Sequence, residues 1–135
     1  MTTASLMTAT DLAAYLVRYP EELTFGDEDP ENVLDRYHTP DYELVNDGVT
    51  VDRQRLLEHV GPARKRAVEV KVDVDEALVD GDWVAARYRL TATMRKGGVI
   101  TTEIYMFGHL AADGRLRRVT QATRTLSAEK TNPAR

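Results

Sequence analysis

Cysteine is absent from the 135 residues. That removes disulfides, thiol nucleophiles and thiolate metal sites, and it is compatible with a reducing cytoplasm, the expected location. Histidine is scarce: His38, His59 and His109 are the only three. They show no cluster spacing, so no metal and no cofactor are expected; His59 and His109 are read as surface residues. No apolar run is long enough to cross a membrane. The opening M-T-T-A-S-L-M lacks the basic start and continuous apolar stretch of a secretory signal. A phosphate loop, a dinucleotide glycine pattern and a nucleophile elbow are all missing. An excess of basic residues is missing too. Lys and Arg total 18 against 22 Asp and Glu, a net charge of -4, which argues against a nucleic-acid partner. The longest basic cluster, Arg64-Lys65-Arg66, reads as a solvated helix end.

What the chain has is alternation. From Ala67 to Leu126 it reads as consecutive long strands joined by tight turns. Val68, Val70, Val72 and Val74 alternate with Glu69, Lys71, Asp73 and Asp75, the mark of a strand with one buried face. Asp80-Gly81 predicts a hairpin turn. In the next strand Val84, Ala86, Tyr88, Leu90, Ala92 and Met94 share one face, and Arg87 and Arg89 the other. Lys96-Gly97-Gly98 is read as a three-residue loop that sets Leu90 against Ile104 and Tyr88 against Met106. In the strand from Val99, Tyr105 and Phe107 fall on the arginine face. Asp113-Gly114 then sets Met106 against Gln121 and Ile104 against Thr123. A one-residue slip would send every side chain to the opposite face. Glu76 breaks the first strand's pattern. Two readings stay open: an outward bulge at Glu76-Ala77, or a carboxylate on the apolar face.

Helices precede the sheet. Thr8 and Asp11 make a capping box, after which Leu12, Tyr15, Leu16 and Tyr19 form one stripe; Pro20 ends or kinks this helix. Asp29 caps a short second helix with Pro30 in its first position and Val33, Leu34 and Tyr37 on its apolar stripe. Residues 41–46 read as a short strand in which Tyr42, Leu44 and Asn46 face inward. Asp52 caps a third helix carrying Leu56, Leu57 and Val60, with Gly61-Pro62 as a candidate end. Helices first and a long antiparallel meander after give an α+β class. A single domain is expected over residues 1–135, its core at 8–126 and its tail at 127–135 flexible. A chain of this length buries roughly 68% of its unfolded surface, enough for a core without staples.

The element order resembles the SnoaL-like branch of the nuclear transport factor 2-like superfamily. So do the segments Tyr37 to Gly48 (YHTPDYELVNDG), Val79 to Thr93 (VDGDWVAARYRLTAT) and Asp113 to Val119 (DGRLRRV). The resemblance spans roughly Leu12 to Thr125. It implies a cone-shaped, curved antiparallel sheet wrapped around the N-terminal helices, an apolar pocket and a homodimer. Its members include polyketide cyclases, ketosteroid isomerases, epoxide hydrolases, dehydratases and non-catalytic binding proteins. It also implies an acid/base aspartate on the last strand with a histidine two residues before it. Val119 and Gln121 stand at those positions, and neither titrates.

The expected ligand is therefore a small hydrophobic molecule, polyketide- or steroid-like, held among Tyr15, Tyr19, Tyr42, Asn46, Met94, Met106 and Thr123. Proton transfer of the cyclase, isomerase or dehydratase type would use Asp41 as base, with Tyr88 and Gln121 as oxygen-stabilising donors. The alternative is a non-catalytic hydrophobic ligand-binding or dimerisation module. On the outer face Arg87, Arg89, Tyr105 and Phe107 are expected at a homodimer interface, with Arg89 beside Tyr105, Arg87 beside Phe107 and Glu103 opposite Arg124.

Overall fold

A computed structural model describes residues 7–129. It contains α1 (Ala9–Phe25), α2 (Pro30–Tyr37), β1 (His38–Asn46), β2 (Val49–Asp52), α3 (Arg53–Arg66), β3 (Ala67–Asp80), β4 (Trp83–Met94), β5 (Val99–Leu110) and β6 (Leu116–Glu129). The strands form one six-stranded sheet in the order β2-β1-β6-β5-β4-β3. It is curled but unclosed. All pairings are antiparallel except β1 with β6. The architecture is α+β with the helices on the concave side.

The helix signals act as expected, including the stop of α2 before His38, apart from the candidate end at Gly61-Pro62. Thr8 accepts from the Asp11 amide while the Asp11 carboxylate accepts from the Thr8 amide, both at 3.0 Å. Asp29 and Asp52 cap α2 and α3. Pro20 lies inside α1, which continues to Phe25. Pro62 lies inside α3 as well, so Gly61-Pro62 does not end that helix. The last turn of α3 is held from outside. Arg64 donates to the carbonyls of Thr24 in the last turn of α1 and of Gly26 just past its end, which ties the two helix ends together.

The sheet keeps the expected faces except at Val68, which is about half exposed at a register shift between Ala67 and Glu69, and its turns differ. Arg95 to Gly98 make a wider connection than a three-residue loop, and Gly97 and Gly98 both adopt positive φ. Thr93 thus pairs with Val99, which places Tyr88 opposite Ile104 and Ala86 opposite Met106. The slip is an even number of residues, so the apolar face is preserved. Asp80 pairs with Trp83, centring the first hairpin on Gly81-Asp82, one residue later than expected. The bulge falls between Val74 and Glu76 and still sets Val74 against Tyr88 and Val72 against Leu90. Glu76 consequently points outward, exposed, in an ion pair with Arg87 at 2.7 Å. Met106 faces Gln121 and Ile104 faces Thr123 as the sequence implied.

β1 begins three residues earlier than residues 41–46, at His38, and β2 was not foreseen. The pair turns on Asp47 and Gly48, whose φ values of 50° and 84° suit a tight hairpin. β6 runs to Glu129, so the first residues of the expected tail are strand; the remainder of that tail lies outside the described residues.

The main core joins Leu12, Tyr15 and Leu16 of α1 to Tyr42, Val72, Val84, Ala86, Tyr88, Ile104, Met106, Leu110, Leu116 and Val119 of the sheet. A smaller cluster of Leu23, Val33 and Val60 locks the three helices together. Burial of this apolar face, at about 25 cal/mol per Å², is the main stabilising term. Among the described residues, no helix is long and apolar enough to cross a membrane.

Candidate functional site

Between α1 and the concave sheet lies a cavity of about 120 Å³ lined by Tyr15, Leu16, Tyr19, Pro20, Tyr42, Leu44, Leu56, Tyr88, Met106, Val119 and Gln121. Helical spacing puts Tyr15 and Tyr19 on one stripe, and their rings stack with centroids 5.2 Å apart. Alternation puts Tyr42 on the inner face of β1 and Tyr88 on that of β4. The four hydroxyls converge closely enough that a charge on one would repel a charge on its neighbours. Burial pushes the ionisation of all four well above the ordinary phenol value, so each remains neutral in solution.

Six of the expected site residues therefore meet: Tyr15, Tyr19, Tyr42, Tyr88, Met106 and Gln121 line one cavity. Asn46 stands just behind. It lies opposite Gln121 in the parallel β1–β6 pairing, and the Gln121 side-chain amide donates to its Oδ1 at 2.9 Å. Thr123 is engaged with Asp47, which accepts from its amide at 2.8 Å and from its hydroxyl. Met94 sits at the far end of β4, opposite Ala67. Asp41 is exposed on β1 outside the lining, and accepts from the Thr39 hydroxyl at 2.7 Å. Among the described residues no Asp, Glu or His lines the cavity, and no group of His, Asp or Glu has the makings of a metal site.

One functional candidate escaped the sequence reading. His38 is only 1% exposed, which makes it a core residue rather than a surface one. Its Nδ1 lies 2.8 Å from the Leu34 carbonyl and its Nε2 lies 2.8 Å from the Tyr15 hydroxyl. Its ring also packs 4.2 Å from Tyr42 and 4.7 Å from Tyr19, centroid to centroid. Burial lowers its pKa from 6.5 to about 4, against the opposing pulls of the Leu34 carbonyl and the Asp35 charge. The imidazole is thus neutral at neutral pH. A carbonyl can only accept, so Nδ1 carries the proton and Nε2 accepts from Tyr15. The signal for this was position. A histidine four residues after Leu34, at the C-cap of α2, can reach the last open carbonyls of the helix.

Of the four hydroxyls, only that of Tyr15 has a hydrogen-bond partner among the described residues. Those of Tyr19, Tyr42 and Tyr88 make no hydrogen bond among the described residues, yet none is sealed off as a buried orphan. All three residues line the cavity. The site therefore offers an apolar, one-ring-sized space with neutral polar groups directed into it.

On the outer face Arg87 lies opposite Tyr105, and Arg89 opposite Glu103 rather than Tyr105; Phe107 lies opposite Ala85 rather than Arg87. Glu103 faces Arg124 and accepts from it at 2.9 Å. Leu78, Trp83, Tyr105 and Phe107 are exposed there, Leu78 by 68%.

Among curated proteins none matches the chain. Solved structures do. A candidate SnoaL-like polyketide cyclase from Jannaschia sp. CCS1 superposes with a TM-score of 0.67 at 16% identity, over 91% of each chain. A candidate hydroxylase from Streptomyces galilaeus does so with a TM-score of 0.67 at 14% identity, over 87% of this chain and 90% of that one. A protein with a ketosteroid isomerase-like fold from Catenulispora acidiphila, in complex with trimethylamine, gives a TM-score of 0.61 at 14% identity, over 89% and 85%. Identities this low speak for the fold alone. The SnoaL-like domain model matches residues 16–119, most of the chain, including the stripe from Leu16, the β1–β2 hairpin, the tyrosine-bearing strands and Val119. The chain belongs to the SnoaL-like domain family of the nuclear transport factor 2-like superfamily.

Proposed function

We propose that the protein takes a small, planar, partly oxygenated apolar molecule, such as one ring of a polyketide- or steroid-like compound, into the tyrosine cavity. The observation that carries this reading is the union of an apolar wall with Gln121 and three tyrosine hydroxyls that have no hydrogen-bond partner among the described residues. A bound oxygen can accept from these hydroxyls, at a net gain of about 0.5–1.5 kcal/mol per hydrogen bond. The size is close to that of one ring: the cavity holds about 120 Å³, somewhat less than the engineered apolar cavity of about 150 Å³ that admits benzene. Larger fused rings require α1 to move at Tyr19 and Pro20. A thermal-shift screen of single-ring apolar compounds tests it. Stabilisation that is weakened by Tyr88→Ala or Gln121→Ala supports the site; a screen with no such hit counts against it.

A second reading, proton transfer on that ligand, is favoured by one observation: the neutral His38 imidazole hydrogen-bonded to a hydroxyl of the cavity wall. Its pKa of about 4 makes it a base of carboxylate strength. Tyr15 would touch the substrate and pass its proton to Nε2 while taking one from the ligand. Asp41 has no such access. Exchange of the ring protons of a cyclic 1,3-diketone in D2O, followed by NMR, separates the two candidates. Loss of protein-catalysed exchange in Tyr15→Phe with retention in Asp41→Asn assigns the pair; loss in Asp41→Asn returns the role to Asp41.

The outer sheet face is read as the seat of a second copy of the chain. It has an exposed aromatic and aliphatic centre of Leu78, Trp83, Tyr105 and Phe107, and a surround of both charge signs from Arg87, Arg89, Arg124, Glu76 and Asp75. Such a face is self-complementary, as a two-fold contact requires.

A further inference from the structure

Resting on the cavity reading above, we propose that Tyr15 meets the ligand only as a hydrogen-bond acceptor, so that the ligand group placed against it is a hydroxyl (alcohol, phenol or enol) rather than a carbonyl. The argument counts protons. A phenol has one proton and two lone pairs. The Leu34 carbonyl can only accept, so the proton of the His38 ring sits on Nδ1, 2.8 Å away. His38 Nε2 is then an acceptor, and the Tyr15 hydroxyl at 2.8 Å must donate to it. The proton of Tyr15 is spent. What remains for the cavity is lone pairs.

The neighbours do not supply the missing donor. No hydrogen bond joins the hydroxyls of Tyr19, Tyr42 or Tyr88 to Tyr15 or to each other among the described residues. A bound hydroxyl can bridge them. A carbonyl oxygen against Tyr15 would set two acceptors face to face. A hydroxyl donates to Tyr15 and accepts from one of the other tyrosines, whose protons are uncommitted. Gln121 works in the same sense. Its side-chain nitrogen is committed to Asn46 Oδ1 at 2.9 Å, and its own carbonyl oxygen has no partner among the described residues. The polar end of the cavity thus presents two acceptors with open lone pairs, Tyr15 Oη and Gln121 Oε1. His38 is the positioning residue: it touches no ligand, but it decides which way the Tyr15 proton points.

Two measurements on the whole protein test this. The first is the 15N spectrum of the His38 ring. A protonated Nδ1 with a bare Nε2 is expected; the opposite tautomer overturns the inference without any variant. The second compares affinities for phenol, fluorobenzene (the same ring without a donor) and benzaldehyde (an acceptor without a donor). Phenol should bind roughly tenfold tighter than either, the worth of one neutral hydrogen bond. Tyr15→Phe should cut the phenol-to-fluorobenzene ratio by a similar factor; should that variant not fold, the tautomer and the wild-type ratios decide. Benzaldehyde equal to or tighter than phenol, or a ratio unmoved by Tyr15→Phe, overturns the inference and leaves the cavity reading standing. Failure of all three probes to bind overturns both.

Discussion

Lowering the pH should unfold this protein through His38 before it does so through its carboxylates. The imidazole is neutral in the folded state, with its pKa brought from 6.5 to about 4 by burial. Unfolding returns it to water, where it protonates near the ordinary value. Between those pH values the unfolded state binds the extra proton, so stability rises with pH across that window. Its contribution is fully present above about pH 6.5 and is lost as pH falls towards about 4. At roughly 1.4 kcal/mol per pH unit, the whole loss is about 3 kcal/mol. That is a large part of a typical stability of about 5–15 kcal/mol. The carboxylates held low by their partners act elsewhere. Asp35 with Arg53, Asp47 with Thr123, and Glu103 with Tyr105 and Arg124 lose their contributions only below their unfolded values of 3.8 to 4.5. The assay is urea unfolding from pH 7.5 to 4.5, with an NMR titration of the His38 ring alongside. His38→Gln keeps a side chain able to donate to the Leu34 carbonyl but has nothing to titrate, so its stability should be nearly flat from pH 7 to 5. A wild-type curve that is flat there, a slope that survives His38→Gln, or a ring that protonates near pH 6.5 would refute the buried neutral imidazole.

Three further outcomes follow from the packing and the surface. Gly108→Ala should destabilise by about 1–3 kcal/mol in urea unfolding, because an added Cβ would stand 2.9 Å from Val84 Cγ2 and 3.3 Å from the Arg118 carbonyl oxygen; an unchanged midpoint would mean that β4 and β6 give way freely. Thr8→Ala removes half of the capping box and should cost about 0.5–2 kcal/mol, with the loss appearing as faster amide exchange in the first turn of α1. Sedimentation at micromolar concentration should give a dimer that Tyr105→Glu with Phe107→Glu dissociates, since both rings are about half exposed on the outer face, at 46% and 55%; a wild-type monomer ends that reading.

Faces were legible in the sequence because they depend on parity alone. The hairpin between β4 and β5 slipped by two residues from its expected pairing, yet Tyr88, Ile104 and Met106 stayed on the concave side. Pairing partners were less legible because they depend on turn geometry. Gly97 and Gly98 both accept positive φ, and so permit several loop lengths. Helix starts were readable from Thr8, Asp29 and Asp52, whose short side chains reach nearby amides. The stop of α2 before His38 was readable too, but the candidate stop at Gly61-Pro62 was not a stop. Pro20 and Pro62 remove one hydrogen bond each, and tertiary contacts such as those of Arg64 made up the difference.

The same contrast explains the site. Tyr15, Tyr19, Tyr42 and Tyr88 were found because each lies at a periodic inward position of a helix or strand. His38 lies where one period ends and another begins, at the junction of α2 and β1, so neither pattern assigns it a face. Its burial is decided by what surrounds that junction: Tyr15, Tyr19, Tyr37 and Tyr42 enclose the ring, and Arg115 of the β5–β6 turn donates to the backbone carbonyls of Asp35 and His38 at 3.0 and 3.2 Å. That arginine lies far away in sequence and anchors the junction on β6. The two positions on the last strand where the resemblance implied titrating groups hold Val119 and Gln121, and the one imidazole beside the cavity is reached instead through α2. A proton acceptor placed behind Tyr15 rather than on β6 acts only through the tyrosine.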